Sequence, residues 1–515
     1  MHSKHKVLIS LLCASMLALS SCADNSMPIT ESEALYTLPP AFISYVPPIG
    51  DAALEYDKPA TLYLPRHDGT RLAAITSKVS FSPGRPSAES LLRALLSYPG
   101  DGVVSSIGGS VKLSMYGVSP VEVSRDVATV NLSGSALQLS RKALYNVCQA
   151  ITNTITELPE ISYVNVLVAD KPVGIDVSNT LPMGTFSRSV GTDINAVYEQ
   201  LFSNRIQPDE EASDKRLSTN VTLYFPIAKT GGMVSEVRTC SFSSMETADM
   251  VISLLQELAL GPQQDIDSPA LPLLADLLTI EPTINHSEAA GGEIISLTFA
   301  HNLDGMLTGY GLTRAQSMAS MCYTLCTFFP SVAGIKVQIG SSAIESITPT
   351  DGSDSEMTFE DGIQQRSNFA TMLYDYCTLY FANSTSSKLT KTMRPIAYYQ
   401  QHNPRTLLVE LAKGPMSYDT VADLTAIMPS NGFQDSDILG LSISGNTLIA
   451  NFSALFQDIG TAMTAEQERF LAYAIVNTLC TDEQIKNVCI FVNNKQFDGF
   501  TGEIYWRGLF FPMLN

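Results

Sequence analysis

Thr61-Leu62-Tyr63-Leu64-Pro65 decides the fold, because close copies of it return at Thr222-Leu223-Tyr224-Phe225-Pro226 and Thr378-Leu379-Tyr380-Phe381-Ala382. The starts of these stretches are 161 and 156 residues apart. Aromatic, branched and threonine side chains of this kind favour a β-strand. Self-similarity at a nearly constant period is the signature of a repeated structural unit. The sequence therefore predicts three tandem units, each beginning with a strand.

A helix of the same type follows each of these strands. A double leucine begins 29 to 32 residues after the start of each stretch, and the three helices span Leu91 to Gly100, Leu254 to Pro262 and Leu407 to Pro415. Glycine permits the left-handed turn that closes a helix, and proline cannot continue one. The predicted N-caps are Ser87 for the first helix, Ser243 or Ser244 for the second, and Asn403 for the third.

A pair of alternating strands, a second helix and a final strand complete each unit. Alternating residues are found at 128–132, 294–299 and 448–452, and the final strands are predicted at 164–168, 335–339 and 488–492. Thr313 with Gln316 and Thr464 with Gln467 form capping-box patterns, and Ser140 opens the equivalent first-unit helix. The predicted fold class is α+β, with three tandem copies of a small two-helix domain that carries a mixed or antiparallel sheet.

The end of each unit shows a weaker match, in which a glycine precedes an arginine by four or five residues. The pairs are Gly184 with Arg188, Gly362 with Arg366, and Gly502 with Arg507. The predicted boundaries are a signal peptide at 1–21, a tether at 22–58, a first domain at 59–190, a linker at 191–217, a divergent second domain at 218–367, and a third domain at 368–515.

The beginning of the chain is typical of an exported bacterial lipoprotein. Lys4 and Lys6 precede a short apolar run from Val7 to Leu19, which is too short to be a secure membrane span. Leu19-Ser20-Ser21-Cys22 follows and resembles a lipobox, which predicts cleavage before Cys22 and lipid attachment to its sulfur. The alternative is an ordinary signal peptide with a chance cysteine. The predicted location is the extracytoplasmic face of the cell membrane, with the lipid as the anchor.

Composition excludes some classes of function. The 515-residue chain has a formal net charge of −20, which becomes −22 when Lys4 and Lys6 leave with the signal. Such a surface repels nucleic acid, so a nucleic-acid partner is not expected. Seven of the nine cysteines lie beyond Cys22, and an odd number cannot be fully paired within one chain. They are predicted to be buried thiols, and Cys322 and Cys326 are not expected to bind a metal.

The motif set as a whole resembles the GerMN domain of sporulation and germination lipoproteins. The third unit carries Leu379-Tyr380-Phe381, Leu407 to Pro415, Ala450-Asn451-Phe452-Ser453, Ile475-Val476-Asn477-Thr478-Leu479 and Asn493-Asn494-Lys495. The first carries Val130 to Ser133, Ile151 to Ile155 and Asp170 to Val173. In the second, Leu325-Cys326-Thr327 stands where the Asn-Thr pair is expected, and the final turn is missing. The resemblance implies a lipid-anchored protein that supports a multiprotein complex at the membrane between mother cell and forespore.

Signatures of catalysis are absent from the sequence. There is no G-x-x-x-x-G-K-[ST], G-x-S-x-G or H-E-x-x-H pattern. Lys229-Thr230-Gly231 matches one motif of penicillin-recognising enzymes, but the S-x-x-K that must accompany it occurs only inside the signal, so a loop after a strand is predicted. His67, His286, His301 and His402 fall at non-equivalent places in the three units. No catalytic residue, metal or cofactor is therefore predicted.

The end of the chain offers candidates for binding a partner. Ile504 to Asn515 is rich in aromatic residues and contains the only tryptophan. Tyr505, Trp506, Phe510 and Phe511 are either an exposed segment that docks on another protein or part of a strand that closes the third unit.

Two functions follow from these observations. The first is a scaffold or interaction component of sporulation or spore germination. The alternative is a lipoprotein that binds a cell-wall or small-molecule ligand and has no role in sporulation. The second requires an exposed groove with aromatic or polar residues.

Overall fold

The computed structural model describes three segments, each with its own hydrophobic core. The described residues are 45–51, 55–82, 85–189, 191, 193, 198–199, 206–208, 215–264, 268, 271–349, 356–385, 388–398, 400, 403–428, 432–460, 462–482 and 484–513. The predicted signal peptide, Cys22 and most of the predicted tether lie outside these residues. No helix among the described residues is long and apolar enough to cross a membrane.

The first segment combines a long hairpin, two helices and a mixed sheet. Its strands are β1 (Tyr56–Pro65), β2 (Leu72–Phe81), β3 (Val121–Ser124), β4 (Val127–Leu132), β5 (Tyr163–Val168), β6 (Lys171–Pro172) and β7 (Phe186–Ser187), and its helices are α1 (Ser87–Ser97) and α2 (Arg141–Ile155). Strand β1 pairs with β2, and the second sheet has the order β3-β4-β5-β6, with β7 also on β5. Strand β4 runs parallel to β5, as expected when a helix connects them.

The middle segment has the same order of hairpin, helix, strand pair, helix and parallel strand. Its strands are β8 (Ile206–Pro208), β9 (Lys215–Pro226), β10 (Met233–Phe242), β11 (Thr283–Ser287), β12 (Gly292–Phe299), β13 (Val332–Ile339), β14 (Ser342–Ala343), β15 (Ser346–Ile347), β16 (Met357–Thr358) and β17 (Ile363–Gln364), and its helices are α3 (Thr247–Ala259), α4 (Leu303–Gly309) and α5 (Arg314–Phe328). The mixed sheet has the order β11-β12-β13-β14, with β17 also on β13, and β12 is parallel to β13.

The last segment follows the same order. Its strands are β18 (Tyr374–Asn383), β19 (Lys388–Ala397), β20 (Leu424–Thr425), β21 (Ile438–Ser444), β22 (Thr447–Phe452), β23 (Asn487–Val492) and β24 (Lys495–Gln496), and its helices are α6 (Pro404–Ala412), α7 (Leu455–Ile459) and α8 (Ala465–Leu479). Strand β22 is parallel to β23 in a sheet of order β21-β22-β23-β24. The predicted α+β class is confirmed, while the prediction of two helices per unit omits the short helices α4 and α7.

In each segment a residue near the end of the segment pairs with the second strand of the parallel pair. These pairings show which residues correspond, and they correct the predicted Gly-Arg match at the end of the third unit. Val164 pairs with Phe186, Ile335 with Gln364, and Val488 with Phe510. Arg188 and Arg366 each lie two residues beyond these partners, and the corresponding residue of the last segment is Pro512. The predicted equivalence of Gly502 and Arg507 with Gly184-Arg188 is therefore wrong. Gly184 and Gly362 do correspond, and both adopt a left-handed backbone with φ of 72° and 69°.

Most predicted caps are confirmed. Asn403 accepts a hydrogen bond from the N–H of Arg405, and Ser140 accepts one from Ala143. Thr313 with Gln316 and Thr464 with Gln467 both form capping boxes.

The predicted caps of two helices are wrong. Ser87 is the first residue of α1, Pro86 is its N-cap, and no side chain caps the helix. Helix α3 begins at Thr247, so Ser243 and Ser244 lie before its N-cap, Glu246. In both cases a serine close to the helix stands outside the one position from which its hydroxyl can reach the free N–H groups of the first turn.

Part of the predicted linker and tether is ordered structure. Strand β8 and the first residues of β9 lie within the predicted linker at 191–217, where Ile206 pairs with Leu217. Strand β1 begins at Tyr56, inside the predicted tether at 22–58. Polar, acidic composition suggested a linker, but a strand pair is held by backbone hydrogen bonds that do not depend on composition.

Candidate functional site

The Asn of the strand motif holds the tight turn that follows the next strand. Asn131 donates to the carboxylate of Asp170 at 2.5 Å, and its side-chain oxygen accepts from the Asp170 N–H at 3.0 Å. Asn451 contacts Asn494 in the same two ways, at 2.7 and 3.1 Å. In the middle segment Gly340 makes this turn with φ of 61°, and β13 pairs with β14 beyond it. The prediction that this turn is missing from the middle unit is therefore wrong.

A buried threonine joins each long helix to the central tyrosine of the repeated strand. The N–H of Tyr63 donates to Thr154 Oγ1 at 2.9 Å, that of Tyr224 to Thr324 Oγ1 at 3.2 Å, and that of Tyr380 to Thr478 Oγ1 at 3.2 Å. The sequence predicted Leu325-Cys326-Thr327 at the Asn-Thr position of the middle unit. This is wrong, because Tyr323 and Thr324 stand at that position. Helix α5 has the same length as α2 and α8, 15 residues, but it continues for a full turn beyond Thr324 to Phe328, and this shift displaces the alignment.

The residue before this threonine binds the end of its own segment. Asn153 exchanges two hydrogen bonds with the backbone of Ser189, at 2.6 and 2.9 Å. Asn477 accepts from the N–H of Met513 at 2.9 Å. Tyr323 instead lies beneath the guanidinium of Arg366, whose carbon is 4.2 Å from the ring centre. The Asn-Thr motif thus fixes the end of the segment to its long helix. Its side chains are buried, so it places no reactive group in solvent.

Buried arginines on β10 and β19 connect the hairpin to the end of the first helix. Arg394 donates to the carbonyls of Glu410 and Gly414 at 2.7 and 2.6 Å, and its guanidinium binds both oxygens of Asp419 at 2.7 Å. Arg238 makes the corresponding contacts with the carbonyls of Glu257 and Gly261. Sequence analysis did not single these arginines out, although each lies 16 residues after the first threonine of its repeated stretch, at Thr222 and Thr378.

The aromatic residues at the end of the chain divide into buried and exposed members. Trp506 and Phe510 are 1% and 0% exposed, and the indole N–H of Trp506 donates to Glu468 at 2.7 Å. Both belong to the core of the last segment, so neither is exposed to a partner. Phe510 pairs with Val488, as the closing-strand alternative predicts, whereas Trp506 lies in a turn. Tyr505 and Phe511 are 38% and 39% exposed and remain accessible.

The other residues weighed in the sequence have structural surroundings. Lys229 to Gly231 lie in the turn between β9 and β10, as predicted. His286 lies on strand β11, and its Nδ1 atom is 3.3 Å from the Glu293 carboxylate. Cys322 and Cys326 are buried with their sulfurs 4.0 Å apart. Among the described residues no three His, Cys, Asp or Glu side chains are placed to hold a metal.

The first and middle segments share a buried polar contact. Asn165 on β5 donates to Thr222 on β9 at 3.0 Å and to Thr129 at 3.3 Å, and the hydroxyls of Thr185 and Thr222 are 2.8 Å apart. All four side chains are nearly inaccessible to solvent. Buried polar groups that satisfy each other in this way favour one defined arrangement of the two segments.

Ser124 lies where all three segments meet. Its hydroxyl donates to the carbonyl of Tyr374 at 2.7 Å and accepts from the N–H of Ser235 at 3.0 Å. The N–H of the next residue, Arg125, donates to Asp375 at 2.8 Å. The segments therefore pack against each other, and they are not beads on a flexible chain.

The segment before β1 is docked on the last segment. Gly50 donates its N–H to the carbonyl of Leu439 at 2.8 Å, and Asp51 forms an ion pair with Arg405 at 2.7 Å. The carbonyl of Pro48 accepts from Asn451 at 2.8 Å. This part of the predicted tether is consequently attached to the body of the protein.

A cleft of about 910 Å³ between the first and last segments is the candidate functional site. Its size is within the range of small-molecule sites. The first segment contributes Tyr56, Lys58, Phe81, Arg85, Val123 and Arg125, among others. The last contributes Asp375, Tyr376, Met393, Leu407, Asp482 and Ile485, among others. No local sequence pattern indicates this cleft, because its two walls come from residues about 300 positions apart.

A protein family described as sporulation and spore germination, named Germane, matches residues 61–174 and 378–498. The first and last segments each match this family. The matched ranges begin at the repeated Thr-Leu-Tyr strands and extend to the turns held by Asn131 and Asn451, so they contain those turns and the threonine contacts to Tyr63 and Tyr380. The predicted resemblance to this family is confirmed.

Two solved structures are similar to parts of the chain. The tandem GerMN domains of the sporulation protein GerM from Bacillus subtilis align over 57% of this chain and 100% of that one, with 15% identity and a TM-score of 0.20. A protein from Clostridium perfringens described as a lipoprotein aligns over 25% of this chain and 87% of that one, with 21% identity and a TM-score of 0.18. No curated protein matches the chain. The assignment of Germane domains accordingly rests on the family match.

Proposed function

We propose that this chain is a lipid-anchored protein of sporulation or spore germination that acts at the extracytoplasmic face of the membrane by binding other proteins. The match of two segments to the Germane family carries the proposal. The motif residues that define the family pattern here, such as Asn153, Thr154 and Asn477, are buried and hold the fold together. This supports a role in packing and assembly over one in catalysis.

The middle segment is proposed to be a third, divergent copy of the same domain. Three observations support this: the parallel strand pair, the threonine contact to the central tyrosine of the hairpin, and the strand that returns to the sheet after a left-handed glycine. Tyr323 replaces the Asn of the Germane pattern there, and its stacking on Arg366 substitutes for the Asn contact.

Anchoring through Cys22 is testable by metabolic labelling. Incorporation of an alkyne-bearing fatty acid is expected in the wild-type chain and in Cys13→Ala, because Cys13 lies in the predicted signal. Cys22→Ala is expected to lose the label. Equal labelling of Cys22→Ala and the wild type would contradict the lipobox assignment.

The role in sporulation is tested by removing the gene and counting heat-resistant and germinating spores. Complementation with the wild type is expected to restore both counts. Photocrosslinking then locates the binding face, with the crosslinker placed at Val118, Val177 or Leu260, which are 103%, 91% and 71% exposed. Lys391, an exposed residue of the last segment, serves as the control position. Adducts that form only in sporulating cells support the scaffold, and a deletion without any spore phenotype overturns it.

The second candidate function is ligand binding without a role in sporulation. The cleft between the first and last segments favours it, because it supplies the groove with aromatic and charged walls that this function requires. A spore phenotype on deletion and a ligand for the cleft are independent results, so each function can be tested separately.

A further inference from the structure

We propose that the cleft between the first and last segments binds a small organic molecule that carries one carboxylate on an aromatic or branched apolar body. Nothing in this inference depends on the sporulation role, since it rests on the geometry and charge of the cleft.

Arg125 is the central residue of the proposed site. It lies in the turn between β3 and β4 with φ of 55°, an unfavourable conformation for a residue with a side chain. Its N–H is held by Asp375 at 2.8 Å. The Nη1 atom of its guanidinium is buried and has no hydrogen-bond partner within the described part of the chain. Since Nη1 is closed to solvent, a ligand in the cleft would meet the other N–H groups of Arg125, which lines the cleft, and a carboxylate matches their planar arrangement.

Two further cations line the same wall. Lys58 and Arg85 border the cleft together with Arg125, although the chain as a whole carries 20 more negative than positive charges. Helix α1 begins at the cleft with Ser87, and no side chain caps its first turn. The positive end of the helix adds to the attraction of this wall for an anion, which the ion pair of Arg85 with Glu89 at 3.6 Å reduces.

The acidic residues of the cleft restrict the charge of the ligand. Asp375 and Asp482 line the last-segment wall, and Glu160 lies on the first-segment side. The Asp375 carboxylate already accepts the N–H groups of Arg125 and Tyr376. Like charges a few ångströms apart repel in a site of reduced dielectric. A singly charged carboxylate therefore fits this cleft better than a doubly charged phosphate ester.

The remaining walls suit an apolar body. The rings of Tyr56 and Phe81 stack with centres 5.6 Å apart and planes 16° from parallel. Met393, Leu407 and Ile485 line the opposite side. Apolar walls with a few placed polar groups are the usual construction of small-molecule sites. The volume of about 910 Å³ is sufficient for a small organic molecule.

Calorimetric titration of the full chain tests the proposal, with N-acetyl-L-phenylalanine as the probe. Saturable binding is expected. N-acetyl-L-phenylalaninamide, which has the same body without the charge, is expected to bind at least tenfold more weakly. Phenyl phosphate, which tests the doubly charged alternative, is also expected to bind more weakly. Absence of binding by the carboxylate, or equal binding of the amide, would overturn the assignment, and tighter binding of phenyl phosphate would overturn the choice of carboxylate.

Variants locate the binding to the cleft. Arg125→Gln is expected to weaken the carboxylate at least tenfold, while Arg507→Gln, which removes a surface ion pair with Asp498 away from the cleft, is expected to leave it unchanged. Because Arg125 occupies a strained turn, the unfolding temperature of each variant is measured alongside. Arg85→Gln provides a second variant outside that turn, with an expected loss of about threefold. Unchanged affinity in both Arg125→Gln and Arg85→Gln would place the ligand elsewhere.

Discussion

Thr324 accepts a hydrogen bond from the backbone N–H of Tyr224 at 3.2 Å and ties helix α5 to the repeated strand of the middle segment. Both residues are fully buried. The two residues are 100 positions apart, so the contact forms only when the helix packs across the hairpin. The first and last segments have the same contact, so it is present in all three segments.

Thr324→Val is expected to destabilise the middle segment by about 1–3 kcal/mol, because the buried N–H of Tyr224 loses its acceptor while the shape of the side chain is kept. The measurement is the midpoint of chemical unfolding followed by circular dichroism. Thr308→Val on helix α4 is the control, since Thr308 is exposed. Equal midpoints for the two variants would show that the contact contributes little.

Glu468→Ala is expected to loosen the end of the chain around Trp506. The carboxylate is fully buried, and it accepts from the Trp506 indole at 2.7 Å and from the N–H groups of Phe500 and Thr501 at 2.9 and 3.0 Å. The buried indole of Trp506 loses its acceptor in the variant, and so do the half-buried N–H of Phe500 and the N–H and hydroxyl of Thr501, which together costs about 2–5 kcal/mol.

Trp506 is the only tryptophan, so its fluorescence reports this change directly. A red-shifted emission and stronger quenching by acrylamide are expected for Glu468→Ala. Glu466→Ala changes an exposed carboxylate on the same helix and is expected to leave the spectrum as it is. Unaltered emission in Glu468→Ala would contradict the assigned role of Glu468.

Arg394→Met is expected to destabilise the last segment by about 3–5 kcal/mol, because the change leaves buried Asp419 without its partner. Arg394→Lys is expected to recover only part of this loss, since an ammonium cannot bind both carboxylate oxygens and two carbonyls in the same plane. The readout is again the unfolding midpoint. Arg507→Met is the matched surface control, and a loss as small as that of Arg507→Met would disprove the prediction.

Asp51→Asn is expected to release the segment at 45–51 from the last segment without unfolding it. The carboxylate holds Arg405 and also accepts from the N–H of Leu441 at 3.1 Å. Hydrogen exchange at Leu439 to Leu441 is expected to accelerate severalfold, because the edge of β21 loses this cover. Glu55→Gln, at a neighbouring exposed carboxylate, is the control. Unchanged exchange in Asp51→Asn would argue against a docked segment.

The cysteine thiols are expected to resist alkylation in the folded protein at pH 8. Burial raises the pKa of Cys148, Cys240, Cys377, Cys480 and Cys489 to about 12. The reactive thiolate is therefore scarce until the pH approaches 12 or the chain unfolds. Mass spectrometry after treatment with iodoacetamide is expected to show modification of these residues only in denaturant. Rapid modification of folded protein at pH 8 would contradict the burial, and Cys480, which is half-buried, is the most sensitive test.

Local patterns predicted the elements of this protein well. Alternation predicted β4, β12 and β22, and the capping patterns predicted the starts of α2, α5 and α8. These succeed because hydrogen-bond capping and strand alternation involve residues that are close in sequence. Where a helix is shifted relative to the strand on which it packs, as α5 is, the pattern misled and placed the Asn-Thr position three residues too late.

The sequence by itself determined the order of strands and helices, the α+β class and the Germane resemblance, because each depends on residue types at short and regular spacings. Only the tertiary structure decided that Trp506 is buried on Glu468, that Ser124 joins three segments, and that the backbone N–H of Arg125 binds Asp375. Those contacts join residues 38 to 250 positions apart. They depend on how buried surfaces pack together, and no short stretch of the sequence specifies that packing.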